Sequence, residues 1–253
     1  MALLYTKGLT QRFGGLTAID HVDFEMDACE IVGIIGPNGA GKSTFFNCVT
    51  GLYKPTEGSI SFCEKDITGK KTCDIAALGL ARTFQNIRLF SELTVEENVM
   101  VGIHTRLHSG VMDAIFRLPR HRKDQAVALQ KAEELLCFCG LESYRYEYST
   151  NLPYGLQRKL EIARALASDP QILLFDEPAA GMNEQETAEL MDFIQKLPSM
   201  NYGVLLIEHD MNLVMSICHR IYVLDHGQLI AHGSPAEIKA NPRVIEAYLG
   251  KEA

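Results

Sequence analysis

The stretch Ile34–Cys48, IIGPNGAGKSTFFNC, sets three glycines, a lysine and two hydroxyls between two strongly structured runs. Gly36, Gly41, Lys42 and Ser43 occupy the fixed positions of G-x-x-x-x-G-K-[ST]. The apolar run Ile31–Ile35 predicts a buried strand before the loop, and Phe45, Val49 and Leu52 are spaced for one face of a helix after it. Glycines let backbone N–H groups converge on phosphate oxygens with no Cβ in the way, and a helix N-terminus adds positive potential. In such a cradle Lys42 reaches the β- and γ-phosphates, the Ser43 hydroxyl ligates Mg²⁺ and Thr44 adds a phosphate contact. A plain glycine-rich turn accounts for the glycines but leaves Lys42 and the paired hydroxyls unexplained.

The rest of the chain reads as an α/β frame for that loop. IVGII (Ile31–Ile35), QILLF (Gln171–Phe175), GVLLI (Gly203–Ile207) and RIYVL (Arg220–Leu224) are continuous apolar runs, the pattern of parallel strands covered on both faces. LLYTKGLTQRF at the start, the alternation of Val22, Phe24 and Met26, and the run Ser59–Ile67 predict half-buried strands of a flanking antiparallel sheet. DHGQLIAHG predicts a hairpin turning at His226-Gly227. From about 92 to 168 the pattern is helical, clearest in LQKAEELLCFC, with no strand candidate. One domain over 1–253 follows: an α/β part over about 1–91 and 169–253, and a helical insertion over about 92–168.

ILLFDEP places Asp176 and Glu177 where a buried strand ends. Adjacent carboxylates at such a mouth are costly unless a cation or a proton transfer uses them. Asp176 fits Mg²⁺ ligation, directly or through a ligand, and Glu177 fits a base that polarises an attacking water. A solvated acidic turn before Pro178 is the plain alternative. An N-K-x-D guanine-reading motif is absent. Phe13, ahead of the loop, reads as a core residue or as a platform for a purine ring.

Five strings in fixed order carry a family resemblance: GPNGAGKST, TFQN with Gln85, NLPYGLQRKLEIARAL, ILLFDEPAAGMN and LLIEHDM with His209. Together they resemble ABC ATPase domains from Phe13 to the C-terminus. The resemblance implies a P-loop NTPase core with a mostly parallel sheet, an N-terminal antiparallel β subdomain and an inserted α-helical subdomain. It implies ATP held by Gly36, Pro37, Asn38, Gly39, Ala40, Gly41, Lys42, Ser43 and Thr44, with Phe13 under adenine. Mg²⁺ would be held by Ser43, Gln85 and Asp176, with Glu177, His209 and Lys42 catalytic. Gln85 would also couple the nucleotide to a membrane partner. Leu152, Pro153, Tyr154, Gly155, Leu156 and Gln157 would be the signature that closes on ATP held by a second subunit, identical or paralogous. The family pattern has a hydroxyl where Pro153 stands and Gln where Leu156 stands; AGMN (Ala180–Asn183) departs from the common S-A-L-D.

EPAAGMNEQET, RIYVLDHG, NPRVIEAYLG and the insertion Ile103–Lys123 narrow the resemblance to ATPase subunits of bacterial branched-chain amino acid importers. ATPases of urea or amide importers and of lipopolysaccharide exporters share parts of these strings. The resemblance therefore implies permease partners and a place at the cytoplasmic face of the inner membrane. A DNA-repair ATPase would carry a long coiled coil, a translation ATPase two nucleotide sets, and a small-molecule kinase would lack DEP, the signature and His209.

Composition agrees with this class. A net charge of −8 over 253 residues disfavours a nucleic-acid partner. No apolar run is long enough to span a bilayer and no signal-peptide core opens the chain, so membrane contact is expected through permeases. Seven scattered cysteines without a C-x-x-C pair read as reduced thiols, with Cys137 and Cys139 as core packing. The basic cluster Arg117–Lys123 reads equally as a solvated linker or as a headgroup or permease contact. His104, His108 and His121 lack metal-ligand spacing and read as surface residues.

Overall fold

The computed structural model describes residues 2–83, 85–103 and 119–249, the side chains of 119–123 and 249 excepted. His104 and His108, and the side chains of His121 and of the basic cluster Arg117–Lys123, therefore lie outside what is described.

Strands β1 (Leu4–Phe13) and β2 (Leu16–Met26) form an antiparallel hairpin, and β1 pairs on its other edge with β4 (Glu57–Phe62). In β2, Ile19, Val22, Phe24 and Met26 are buried while Asp23 and Glu25 are exposed, the alternation of a sheet wet on one face. Ser59–Ile67 is not one strand. The chain turns at Cys63 and Glu64, both at positive φ, and returns as β5 (Lys65–Asp66).

The second sheet is built from β3 (Ile31–Ile35), β6 (Leu80–Arg82), β7 (Ile172–Asp176), β8 (Gly203–Ile207), β9 (Arg220–Asp225) and β10 (Gln228–Gly233), in the order β10-β9-β3-β8-β7-β6. All its pairings are parallel except β9–β10. That hairpin turns at His226 and Gly227, whose φ values of 44° and 79° suit a primed turn.

Every residue of β3, β7 and β8 is buried, and the two-residue pleat explains the unbroken apolar runs. Leu173, Phe175, Val204 and Leu206 face one core with the helices; Ile172, Leu174, Leu205 and Ile207 face another shared with the antiparallel sheet. Helix α1 (Lys42–Val49) lies in the second core through Phe45, Phe46 and Val49. It ends at Val49, so Leu52 lies beyond it and is exposed rather than continuing its buried face. A short helix α2 (Thr72–Ala77) leads into β6.

Between 92 and 168 the described residues hold α3 (Val95–Ile103), α4 (Pro119–Cys139), α5 (Tyr154–Ala167) and 3-10 turns, with a single bridge between Thr94 and Tyr148. Val95, Val99 and Ile103 pack with Ala132, Leu136, Leu160 and Ala163 in the first core. Gly102 allows this approach, since a Cβ there would stand 2.2 Å from the Arg164 carbonyl oxygen. Cys139 is buried at the end of α4 but Cys137 is exposed, because two residues span more than half a helical turn. Burial pushes the thiols of Cys48, Cys139 and Cys218 up to about 12, so they behave as core side chains. After the sheet strands come α6 (Glu184–Lys196), α7 (Met211–Ile217), α8 (Pro235–Lys239) and α9 (Pro242–Leu249).

Phe45 is fully buried and meets Phe24 edge-on with ring centroids 5.2 Å apart, joining α1 to the antiparallel sheet. Phe45→Ala is expected to cost about 3–5 kcal/mol in urea unfolding. A loss no larger than that of an average substitution, about 1 kcal/mol, would contradict this packing.

Candidate nucleotide-binding site

The loop after β3 is shaped by its glycines. Gly41 has φ 100°, and a Cβ on it would stand 2.5 Å from the Ala18 carbonyl oxygen. Helix α1 starts immediately after it with no side-chain cap, so its first N–H groups keep their donors for a ligand. The buried Lys42 ammonium curls back on the loop, donating to the Gly36 carbonyl at 2.6 Å and the Pro37 carbonyl at 2.9 Å. Burial holds its pKa below the ordinary lysine value, partly offset by the Glu177 and Asp176 carboxylates. Asn38, Gly39, Ala40, Gly41, Lys42, Ser43 and Thr44 line a cavity of about 590 Å³ that Phe13, Glu177 and His209 also border. Gly36 and Pro37, expected beside them, do not line it; their carbonyls hold the lysine that does.

The acidic wall comes from the next two strands. Asp176 closes β7 beside Ile207 of β8, and Ile207 is level with Ile34 of β3. Asp176 Oδ2 accepts from Arg82 Nη2 at 2.7 Å, and Arg82 Nη1 donates to Asn47 Oδ1 at 2.7 Å. Arg82 is a site residue that sequence reading missed, for it stands in a three-residue edge strand with no motif of its own.

Glu177 has φ 50°, a left-handed conformation that costs a residue with a side chain of order 1–3 kcal/mol. Its N–H donates to the Ile207 carbonyl at 2.9 Å, which holds the turn. The turned carboxylate accepts from Gln85 Nε2 at 2.8 Å on one oxygen and is hydrogen-bonded by His209 Nε2 on the other. An ionised carboxylate only accepts, so with Glu177 in that form the donor of this contact is His209 Nε2. Glu208 was also missed. This buried carboxylate accepts the N–H of Ala179 at 3.0 Å and of His209 at 3.2 Å, bracing one loop against the other. Burial pushes its carboxyl up, only partly offset by those two N–H groups.

Phe13 is 43% exposed at the cavity edge, its ring edge-on to Tyr53 at 5.2 Å, so it is not a core residue. Leu152–Gln157 do not border this cavity. Pro153 is the N-cap of α5, one place ahead of its first helical turn, and its carbonyl accepts from the Gln157 N–H at 3.0 Å. Leu152 is buried, and its carbonyl accepts from Gln157 Nε2 at 2.8 Å. Tyr154 donates its hydroxyl to the Ala180 carbonyl at 3.1 Å, while Gly155 and Leu156 begin the helix half-buried. Asn183 caps α6 in a reciprocal box with Glu186, which gives the asparagine in AGMN a local structural reason.

The glycine loop, the two carboxylates and the histidine meet on one sheet edge, and comparison with known proteins decides what kind of edge it is. The family described as "ABC transporter" matches residues 19–180. The chain belongs to the ABC transporter ATP-binding family. A second family, "Branched-chain amino acid ATP-binding cassette transporter", matches residues 228–253. Among curated relatives, the high-affinity branched-chain amino acid transport ATP-binding protein LivG of Salmonella typhimurium is 49% identical over 250 residues, 98% of each chain. BraF of Pseudomonas aeruginosa, described by the same words, is 46% identical over 250 residues, again 98% of each chain. A crystal structure of an ATP-binding cassette of an ABC transporter in its ADP conformation superposes with a TM-score of 0.86 at 31% identity. It covers 99% of this chain and 100% of its own. A dimeric post-hydrolysis cassette bound to ADP and Pi gives 0.74 at 25% identity, over 92% of this chain and 98% of its own.

The family's P-loop NTPase fold, with a parallel core, an antiparallel sheet and helices, is the one described above. Among the described residues no helix is long and apolar enough to cross a membrane.

Glu208 makes this site pH-sensitive in stability. A carboxyl whose folded pKa lies above its unfolded value leaves the folded state holding more protons than the unfolded one. Its contribution is thus fully present below the unfolded value and is lost as pH rises through the folded one. Glu208→Gln removes that loss, so the urea midpoint of the variant relative to the parent is expected to rise from acid to neutral pH. A difference constant over that range would show that Glu208 is not a buried titrating group.

Proposed function

We propose that this chain is the ATP-hydrolysing subunit of an importer for branched-chain amino acids. It works as a dimer on transmembrane permease subunits at the cytoplasmic face of the inner membrane. The observation that carries the hydrolytic part is Glu177, which lines the same cavity as Lys42 and is held between Gln85 and His209. The amino acid cargo is inferred from full-length similarity to LivG and BraF and from the family match over residues 228–253.

The residues divide the work as follows. The N–H groups of the loop and of the first turn of α1 receive phosphate oxygens, and Lys42 leaves the Gly36 and Pro37 carbonyls to bind the β- and γ-phosphates. Phe13 offers an exposed ring face to adenine at the cavity edge. Ser43 Oγ, Asp176 and the Gln85 side-chain oxygen are hard oxygen donors, a set that suits Mg²⁺ held jointly with substrate phosphates. Bound there, Mg²⁺ would neutralise charge on the phosphates. Glu177 orients a water and accepts its proton as the water oxygen bonds to the γ-phosphorus and the bond to the β-phosphate oxygen breaks. His209 Nε2–H fixes the Glu177 carboxylate oxygen that Gln85 does not bond and, lining the same cavity, would meet the transferred phosphoryl group. Leu152–Gln157, absent from this cavity, face the nucleotide of the second subunit, so two chains complete two sites. In this reading 1–253 is one ATPase domain whose helical insertion, about 92–168, presents that signature.

Glu177→Gln is expected to bind MgATP, hydrolyse it about 10²–10⁴-fold more slowly, and accumulate an ATP-bound dimer on size-exclusion chromatography. Near-normal turnover with the permease present would remove Glu177 from the base role. The cargo is tested by co-purifying the membrane partners and measuring ATP-driven uptake of labelled leucine and urea into vesicles, and extraction of a lipid precursor. Leucine uptake is expected; transport of urea or lipid without leucine would assign the chain to one of the related systems.

A further inference from the structure

Helix α5 carries two charges where its neighbours are apolar. Arg158 is fully buried and Glu161, one turn on, is 2% exposed; Arg158 Nη1 donates to Glu161 Oε2 at 2.7 Å. Leu160, Ala163 and Leu166 on the same helix belong to the core, so the pair breaks the helix's own apolar pattern. Desolvation cancels most of the attraction in a buried ion pair, which makes stability a weak reason for having one.

The pair's other bonds supply a different reason. Arg158 Nη2 donates to the Gln85 carbonyl at 2.8 Å, and Glu161 Oε1 accepts the Arg88 N–H at 3.3 Å. The ion pair therefore grips the loop Gln85–Arg88 at both ends. From that held backbone the Gln85 side chain reaches Glu177. One turn before Arg158, the same helix opens at Tyr154 in the signature. A guanidinium suits this place because its planar fork offers two donors at a fixed angle, one for the carboxylate and one for the carbonyl. Lysine keeps the charge and loses that second fixed bond.

We propose that the Arg158–Glu161 pair is a positioning device that joins the Gln85 loop to the signature helix, so that the contact of Gln85 with Glu177 and the orientation of the N-terminus of α5 change together. Through it, the γ-phosphate end of one site is coupled to the surface that closes on the other. This rests on the reading of Glu177 as the base, and Arg158 acts only through Gln85.

The test compares the parent protein, Arg158→Lys and the double variant Arg158→Met/Glu161→Met, each assembled with its permease. The double variant removes both charges together and is expected to fold, since an apolar pair of similar volume commonly replaces a buried ion pair without loss. Parent ATPase and its collapse in Glu177→Gln are measured first; their absence would defeat the base reading, not the coupling. With that in place, both Arg158 variants are expected to keep the KM for ATP within about threefold and to lose about 10- to 100-fold in kcat, the scale of a small misplacement in a reacting site. Hydrogen exchange gives the second readout. ATP is expected to change exchange at both Gln85–Arg88 and Tyr154–Arg158 in the parent, and at the loop alone in the double variant. Unchanged kcat in the folded variants, or joint response of both segments without the pair, would overturn the proposal.

Discussion

The parallel hydrogen-bond ladder of β3, β8 and β7 is the constraint on which the site depends. Its register sets Ile34 level with Ile207 and Ile207 level with Asp176. Three buried strands of five residues thus end together, and their next residues, Gly36, Glu177 and Glu208, leave the sheet at one edge. Ligands of open α/β sheets collect at the carboxyl ends of strands for this reason. A one-step slip in any pairing would move a strand's side chains to the opposite face and separate Lys42 from the carboxylates. The many apolar contacts on both faces make that slip costly, so the core's main service to function is to hold a register.

That edge gathers like charges, and the structure answers each of them locally. Asp176 is paired with Arg82, Glu177 is hydrogen-bonded by Gln85 and His209, and Glu208 accepts two backbone N–H groups. Lys42, drawn inward by two carbonyls, stands between the acidic wall and the loop. In the proposed reading a triphosphate brought to this edge adds more negative charge, so its binding would depend on donors that are not yet spent: the uncapped start of α1, the lysine and an added cation. The left-handed turn at Glu177 belongs to the same arrangement. It bends the chain as β7 ends, so that Asp176 stays against Arg82 while the next carboxylate turns into the cavity.

Sequence reading was strongest where one physical rule acted alone. Continuous apolar runs over Ile31–Ile35, Gln171–Phe175 and Gly203–Ile207 fit strands covered on both faces, and His226-Gly227 fits a tight turn, and both are found. It was weaker where tertiary contact overrides local pattern. Leu80–Arg82 is too short to show a period, yet it forms the edge strand whose arginine pairs with Asp176. Ser59–Ile67 carries the composition of one strand and folds as two, because positive φ at Cys63 and Glu64 leaves no apolar or glycine signal. Phe13 is ambiguous by composition, since an aromatic suits a core and a ring platform equally; only its exposure separates the two. Arg158 and Glu161 lie inside a motif whose apolar face draws attention away from them, and their partners are about 73 residues distant.

In the proposed reading the site has two halves, and they differ in how completely one chain builds them. The glycine loop, the carboxylates and the histidine are assembled by intrachain bonds before any nucleotide arrives. The signature lies off this cavity. Pro153 precedes the first turn of α5 with neither a hydroxyl nor an N–H, and the helix N-terminus has no side-chain cap. Its remaining donors are backbone N–H groups from Tyr154 onward, reinforced by the helix dipole. In the proposed reading such donors would meet phosphate without the directional bond of a hydroxyl, so contacts along the helix have to aim its first turn. Tyr154 supplies one tether through the Ala180 carbonyl, next to the turn that follows Glu177. Arg158 supplies another through the Gln85 carbonyl, next to the side chain that touches Glu177. A helix start that lacks its own hydroxyl is thus tied at two points to the residues flanking the candidate base, while Leu160, Ala163 and Leu166 fix the rest of the helix in the core.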